Sequence, residues 1–154
     1  MSKKILITGI ANKYSIAFGI ARAMKREGAE VAIAYQNERL LKNIKPIAEE
    51  LGVSLLVECD VSSDESITKS AQYIQNNWAT FDGFVHSIGI APADQLEGNF
   101  VDVTTREGFA VAHDISSYSF TALAKAYKDI LNPGSALLTL SYLGAVQTMP
   151  NYNV

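Results

Sequence analysis

The sequence predicts an α/β fold, a doubly wound parallel sheet with helices on both faces. Three observations predict it. Short apolar runs alternate with helix-period stretches along the chain. The runs are apolar throughout instead of at every second residue, which implies strands buried on both faces. No linker, internal repeat or low-complexity segment interrupts the alternation, so the 154 residues read as one domain.

The elements follow in order. Lys4 to Thr8 is an apolar run ended by Gly9, the first strand. "SIAFGIARAMKREGA" carries apolar residues at three- and four-residue spacing and closes at Gly28, a helix end. Val31 to Tyr35 is the second strand. A helix from about Glu38 to Leu51 is expected to kink or split at Pro46 and to stop at Gly52. Leu55 to Cys59 is the third strand. Ser62 and Glu65 form a capping box that opens a helix to about Trp78. Phe84 to His86 is the fourth strand, and a long loop runs from Ser87 to Asp102. Thr104 and Glu107 form a second capping box, with a helix to about Leu131. Asn132-Pro133-Gly134 is a turn, and Ala136 to Leu140 is the fifth strand. The expected strand order is 3-2-1-4-5, which leaves the fifth strand at an edge, apolar on both faces.

Composition narrows the function. The chain is 48% hydrophobic and 19% charged, as a globular protein is. A net charge of −3 argues against nucleic acid as a partner. The single cysteine, Cys59, rules out an internal disulfide and a cysteine-based metal site, and fits a reducing cytoplasm. No apolar run is long enough to span a membrane, and the run after Lys3-Lys4 breaks at Gly9, too soon for a signal peptide.

A doubly wound sheet binds ligands at the carboxyl ends of its strands, so the candidate residues stand there. After the first strand, Gly9 makes the turn and Ser15 and Gly19 open the helix, whose free N–H groups and dipole suit a pyrophosphate. The spacing is not G-x-G-x-x-G, and alone it describes a plain strand-to-helix turn; its place on the first unit favours the nucleotide reading. After the second strand, Gln36 can bond a ribose hydroxyl and offers a phosphate no charge, which leans towards NAD over NADP, with Arg39 close by. Asn37 also serves as a simple helix cap. Asp60-Val61, after the third strand, suits an adenine amino group and ring, or is a turn aspartate before the Ser62 cap. After the fourth strand, the small residues of "HSIG" let a ribose or nicotinamide lie close. His86 is read as a packed, hydrogen-bonded residue and not as a general base, His113 as structural, and Cys59 as a small buried hydrophobe. Ser141 and Tyr142 follow the fifth strand, and Pro150-Asn151 makes a helix entrance for Tyr152.

"TGIANKYSIAFGIA", "CDV", "FDGFVHSIG", "AHDISSYSF", "NPGSALLTLSYLGA" and "PNYNV" together resemble the bacterial NADH-dependent enoyl-acyl-carrier-protein reductases, of the short-chain dehydrogenase/reductase superfamily. The likeness runs from about Lys4 to Val154. It implies a Rossmann-like sheet that binds NADH and reduces trans-2-enoyl thioesters on acyl carrier protein in fatty-acid biosynthesis, in a cytoplasmic homotetramer with neither membrane nor nucleic acid as partner. On that resemblance Gly9, Ser15 and Ile16 match the cofactor loop, Gln36 the adenosine side, Asp60 and Val61 the adenine pocket, Ile88 and Gly89 the nicotinamide side, and Ala91 the substrate site. Tyr142 and Tyr152 match the active-site tyrosines, Tyr152 acting on the thioester carbonyl and Tyr142 shaping the pocket; no metal is implied.

The sequence departs from the family in one respect. The lysine that partners the tyrosine, the substrate-binding helices and the last strands would all lie past Val154. The expectation is therefore the N-terminal part of a longer enzyme, inactive by itself. Two other readings stand beside it. A ketone or alcohol short-chain reductase usually carries N-N-A-G after its fourth strand, where this chain has "HSIG". A non-catalytic nucleotide-binding module would keep only the cofactor half.

Overall fold

The structure is a computed structural model that describes residues 2–148 and 153. Five parallel strands form one sheet: β1 (Lys4–Ile7), β2 (Glu30–Tyr35), β3 (Leu55–Glu58), β4 (Phe81–His86) and β5 (Leu131–Thr139). Their order is β3-β2-β1-β4-β5, as the sequence predicts. Helices α1 (Ile16–Arg26), α2 (Glu38–Leu51) and α3 (Asp64–Trp78) make the first three crossovers. The last crossover holds a short helix α4 (Phe100–Val103), then α5 (Arg106–His113), a π-helical turn (Asp114–Tyr118) and α6 (Ser119–Tyr127).

Each central strand feeds a core on both faces. Ile7, Ile33 and Val85 pack with Ala17, Phe18, Ile44 and Ile47 of α1 and α2. Their strand neighbours Leu6, Ala32, Ala34 and Phe84 face the opposite way, onto Ile67, Ile74 and Trp78 of α3 and Leu123 and Tyr127 of α6. This is why the strands show no period-two alternation. At the edge, Leu137 and Leu138 of β5 are exposed.

The structure corrects several boundaries. Ser63, not Ser62, caps α3, its hydroxyl accepting from the Ser66 amide at 3.2 Å. The Asp60 carboxylate takes Ser62 instead, accepting its hydroxyl at 2.7 Å. Thr105, not Thr104, caps α5, accepting from the Gly108 amide at 3.0 Å. Pro46 neither splits nor ends α2, which is unbroken. Pro46 and Lys42 lie on its exposed face, where water can serve the Lys42 carbonyl that proline leaves without a donor. The predicted turn at Asn132-Pro133-Gly134 lies inside β5 as a bulge: Phe81 pairs with Leu131, yet Gly83 pairs with Ala136. β4 starts at Phe81, ahead of Phe84, and at Gly83 a Cβ would lie 2.0 Å from the Ala136 carbonyl oxygen.

The amino edge is tied by Asp82, which accepts from Lys3 Nζ at 2.9 Å, the Lys4 amide at 2.9 Å and Asn132 Nδ2 at 3.2 Å. The Lys4 amide above all, with the Lys3 ammonium, holds its carboxyl at about 2. This is below the value in an unfolded chain, so the contribution is fully present above about pH 4 and is lost as pH falls towards 2. Asp82→Asn should lower stability at neutral pH by about 1 kcal/mol and flatten its decline in acid. Urea midpoints near neutrality and in acid check this; an equally steep decline in the variant would refute it.

Candidate functional site

The site is built where β1 and β4 run past each other at their carboxyl ends. The Thr8 amide and hydroxyl both donate to the Val85 carbonyl at 3.0 Å, and the hydroxyl accepts from the Ser87 amide at 3.3 Å. One residue on, Gly9 has φ +82° and its Cα faces the Ser87 carbonyl, so that a Cβ would stand 1.9 Å from that oxygen. Only glycine fits there, for conformation and for space.

Above this contact lies a cleft of about 380 Å³, at the switch in strand order. The ends of four strands line it: Gly9 to Ala11 after β1, Gln36 after β2, Asp60 and Val61 after β3, Ser87 to Ile90 after β4. Of the residues predicted from sequence, it gathers Gly9, Gln36, Asp60, Val61, Ile88 and Gly89. Ser15, Ile16 and Ala91 stand outside the lining. Ser15 acts on the loop: its hydroxyl oxygen accepts from the Ala11 and Asn12 amides at 3.0 and 3.1 Å. Ile16 is 68% exposed at the start of α1.

Charge is distributed to suit an anion at the middle of the cleft. The first turns of α2, α3 and α5 each carry an acidic residue, which offsets the positive end of the helix dipole. α1 has none and its Ser15 makes no side-chain cap. Its free N–H groups and dipole remain available to a pyrophosphate, so the residues present fit a dinucleotide.

At the β2–β3 end, Gln36 Nε2 donates to Asp60 Oδ2 at 3.3 Å. Burial pushes the Asp60 carboxyl up, but the Ser62 hydroxyl and amide and the Gln36 amide together hold it below the ordinary range. Asp60 is thus both turn aspartate and cleft wall. Cys59 lines the cleft beside it as a buried thiol, its pKa pushed up by that burial.

At the β4 end, His86 is buried and bonded, as the sequence suggests. Its Nε2 lies 2.7 Å from Ser119 Oγ and its Nδ1 3.1 Å from Thr139 Oγ1. Ser119 donates its one hydroxyl proton to the Ile115 carbonyl at 2.6 Å. The proton shared with His86 must therefore sit on Nε2, and Nδ1 accepts from Thr139. Burial lowers the His86 pKa, which keeps the ring neutral. His113 stacks on Phe109 with centroids 4.1 Å apart, on the surface and away from the cleft.

Sequence reasoning missed Thr8, Ile10, Ala11, Leu40, Ile90 and Ile115 in this wall. Thr8 carried a signal, a hydroxyl at the end of a buried strand. Ile115 did not, since only the π turn aims it. Tyr142 follows β5, its ring so near Gly144 that a Cβ there would meet it at 2.9 Å. Tyr152 lies outside the described residues.

A doubly wound parallel sheet with a crevice at its switch point is the architecture of Rossmann-like α/β domains, whose ligands lie in that crevice. Comparison with known proteins agrees. The enoyl-(acyl carrier protein) reductase family matches residues 9–154. The NADH enoyl-acyl-carrier-protein reductases FabI of Salmonella typhimurium and Escherichia coli are 60% and 59% identical over 152 residues, 99% of this chain. The crystal structure of the Aquifex aeolicus reductase superposes with a TM-score of 0.94 at 44% identity, over 98% of this chain and 60% of its own. The Anaplasma phagocytophilum reductase, solved in complex with NAD, gives 0.94 at 41% identity, over 98% of this chain and 57% of its own. The chain belongs to the enoyl-(acyl carrier protein) reductase family. It spans 58% of the length of the Salmonella and Escherichia relatives.

Gly9→Ala tests the junction under the cleft. Left-handed strain and a Cβ driven into the Ser87 carbonyl should together cost roughly 2–4 kcal/mol. A denaturation midpoint equal to wild type would show that β1 and β4 do not pass this closely.

Proposed function

We propose that this chain forms the NADH-binding part of an enoyl-acyl-carrier-protein reductase, which reduces trans-2-enoyl thioesters to saturated ones in fatty-acid biosynthesis. One observation carries the reading: a family match over nearly the whole chain coincides with a crevice built from the ends of four strands. When bound, NADH supplies the hydride that the β-carbon of the enoyl group accepts. Gln36, Asp60 and Val61 hold the adenosine end, Gly9 and the start of α1 the pyrophosphate, and Ile88 and Gly89 the nicotinamide end. Ser15, which bonds the Ala11 and Asn12 amides, and Ile16 complete the cofactor loop, and Ala91 belongs to the substrate site.

As the β-carbon is reduced, negative charge gathers on the thioester oxygen. A hydroxyl aimed at that oxygen stabilises it, and losing one such donor costs about 10²–10³ in rate. Tyr152 is assigned this role and Tyr142 the shaping of the pocket. Among the described residues no helix is long and apolar enough to cross a membrane. The reading carries with it a cytoplasmic homotetramer, in which exposed Phe109, Val111 and Tyr118 supply apolar surface of the kind subunits cover.

The test uses the protein as its natural gene encodes it. Oxidation of NADH by a trans-2-enoyl thioester should be rapid, and ketones and alcohols should be poor substrates; the reverse preference sinks the reading. Tyr152→Phe should cut turnover by about 10²–10³ while the NADH dissociation constant holds. If Tyr142→Phe abolishes turnover and Tyr152→Phe does not, the two roles are exchanged. Gln36→Arg should narrow the preference for NADH over NADPH, since an arginine offers the 2′-phosphate a charge. An unchanged ratio of specificity constants would remove Gln36 as the selector.

A further inference from the structure

The π-helical turn Asp114–Tyr118 is the one interruption in an otherwise α-helical path from Arg106 to Tyr127. A π turn is less favourable than α-helix and persists where tertiary contacts compensate. Here they are side-chain clasps. Ser116 Oγ accepts from the Ile90 amide at 3.0 Å and donates to the Ile90 carbonyl at 3.2 Å. Both backbone groups of a single loop residue are satisfied by one hydroxyl. The next clasp fixes the turn from behind: Ser119 bonds the Ile115 carbonyl and His86. Ile90 and Ile115 both line the cleft, and Ser116 does not.

The sheet order makes this asymmetric. Gln36 and Asp60 stand beyond β1 on the β2–β3 side, while Ser87 to Ile90 stand on the β4 side. The clasp therefore bears on the end of the cleft opposite the adenosine. We propose that Ser116 is a positioning residue for the nicotinamide end: it holds the Ile88–Ile90 segment in the shape that receives the ring, without touching the cofactor. This rests on the NADH reading above. Ile90 is itself half exposed, at 51%, and the segment ahead of it contains Gly89; among the described residues the hydrogen bonds to this stretch come from Ser116.

Two ligands separate the ends of the cleft. ADP-ribose fills the adenosine and pyrophosphate regions and lacks nicotinamide; NADH fills both ends. Dissociation constants for each are measured on the protein as its natural gene encodes it, in wild type, Ser116→Ala and Ser116→Thr. With two neutral hydrogen bonds lost, Ser116→Ala should bind NADH roughly tenfold more weakly and ADP-ribose as wild type does. Ser116→Thr keeps the hydroxyl and should restore most of the NADH affinity. Equal weakening of both ligands, including through unfolding, would assign Ser116 to the fold alone and overturn the proposal. Unchanged NADH binding in Ser116→Ala would overturn it too. A wild-type protein that binds neither ligand would overturn the NADH reading, and this proposal with it.

Discussion

The close passage of β1 and β4 at their carboxyl ends is the constraint on which the rest of the site depends. Thr8 ties the two strands with both its amide and its hydroxyl, and Gly9 then turns away with its Cα against the Ser87 carbonyl. Because the chain leaves β1 and β4 in crossovers to opposite sides of the sheet, the two exits part just above this contact. The crevice is the space they leave. A side chain at position 9 would separate the strands there, and the loops on either side would lose their common floor.

The cleft has two chemically different ends, and each is made by the sheet order. At the β2–β3 end a carboxylate held ionised by Ser62 and Gln36 supplies fixed polar acceptors. At the β4 end the wall is Ser87, Ile88, Gly89, Ile90 and Ile115, small or apolar, with neutral His86 beneath. Between them lie Gly9 to Ala11, from which the chain runs on to the uncompensated N-terminus of α1 just outside the lining. An ionised carboxylate at one end and an uncharged wall at the other suit a molecule with a hydrogen-bonding head, an anionic middle and a flat ring that carries or loses charge in the reaction.

Much of this was legible in the sequence, because it follows from rules that act locally. Buried parallel strands lack polar alternation, and Val31 to Tyr35 is apolar throughout while Leu55 to Cys59 departs only at the exposed Glu58; ligands sit at strand ends, and Gly9, Gln36, Asp60, Val61, Ile88 and Gly89 were found there. What was not legible depends on contacts between distant parts of the chain. Ser62 and Ser63 are equal candidates for a cap until Asp60 captures Ser62. Pro133-Gly134 reads as a turn until β4 pairs with both flanks of it. The π turn has no local signature at all, since its residues would form α-helix equally well; Ile90 and His86, remote in sequence, select it.

The same reasoning explains why α6 holds polar residues on a face turned to the core. Ser119 is fully buried, and Tyr127, also fully buried, sets its hydroxyl 2.8 Å from Ser70 of α3. Burying such groups without partners would cost about 1–3 kcal/mol each, so they are tolerable only in the one placement that satisfies them. Apolar contacts with Phe81 and Phe84 would allow α6 to slide or rotate by a fraction of a turn with little penalty. The two hydrogen bonds, eight positions apart in sequence and to different elements, do not. They fix α6 against α3 at one end and against β4 at the other. The helix register so fixed is what brings Ser116 level with Ile90, so the buried polar pairs of the core set the geometry at a loop residue that none of them bonds.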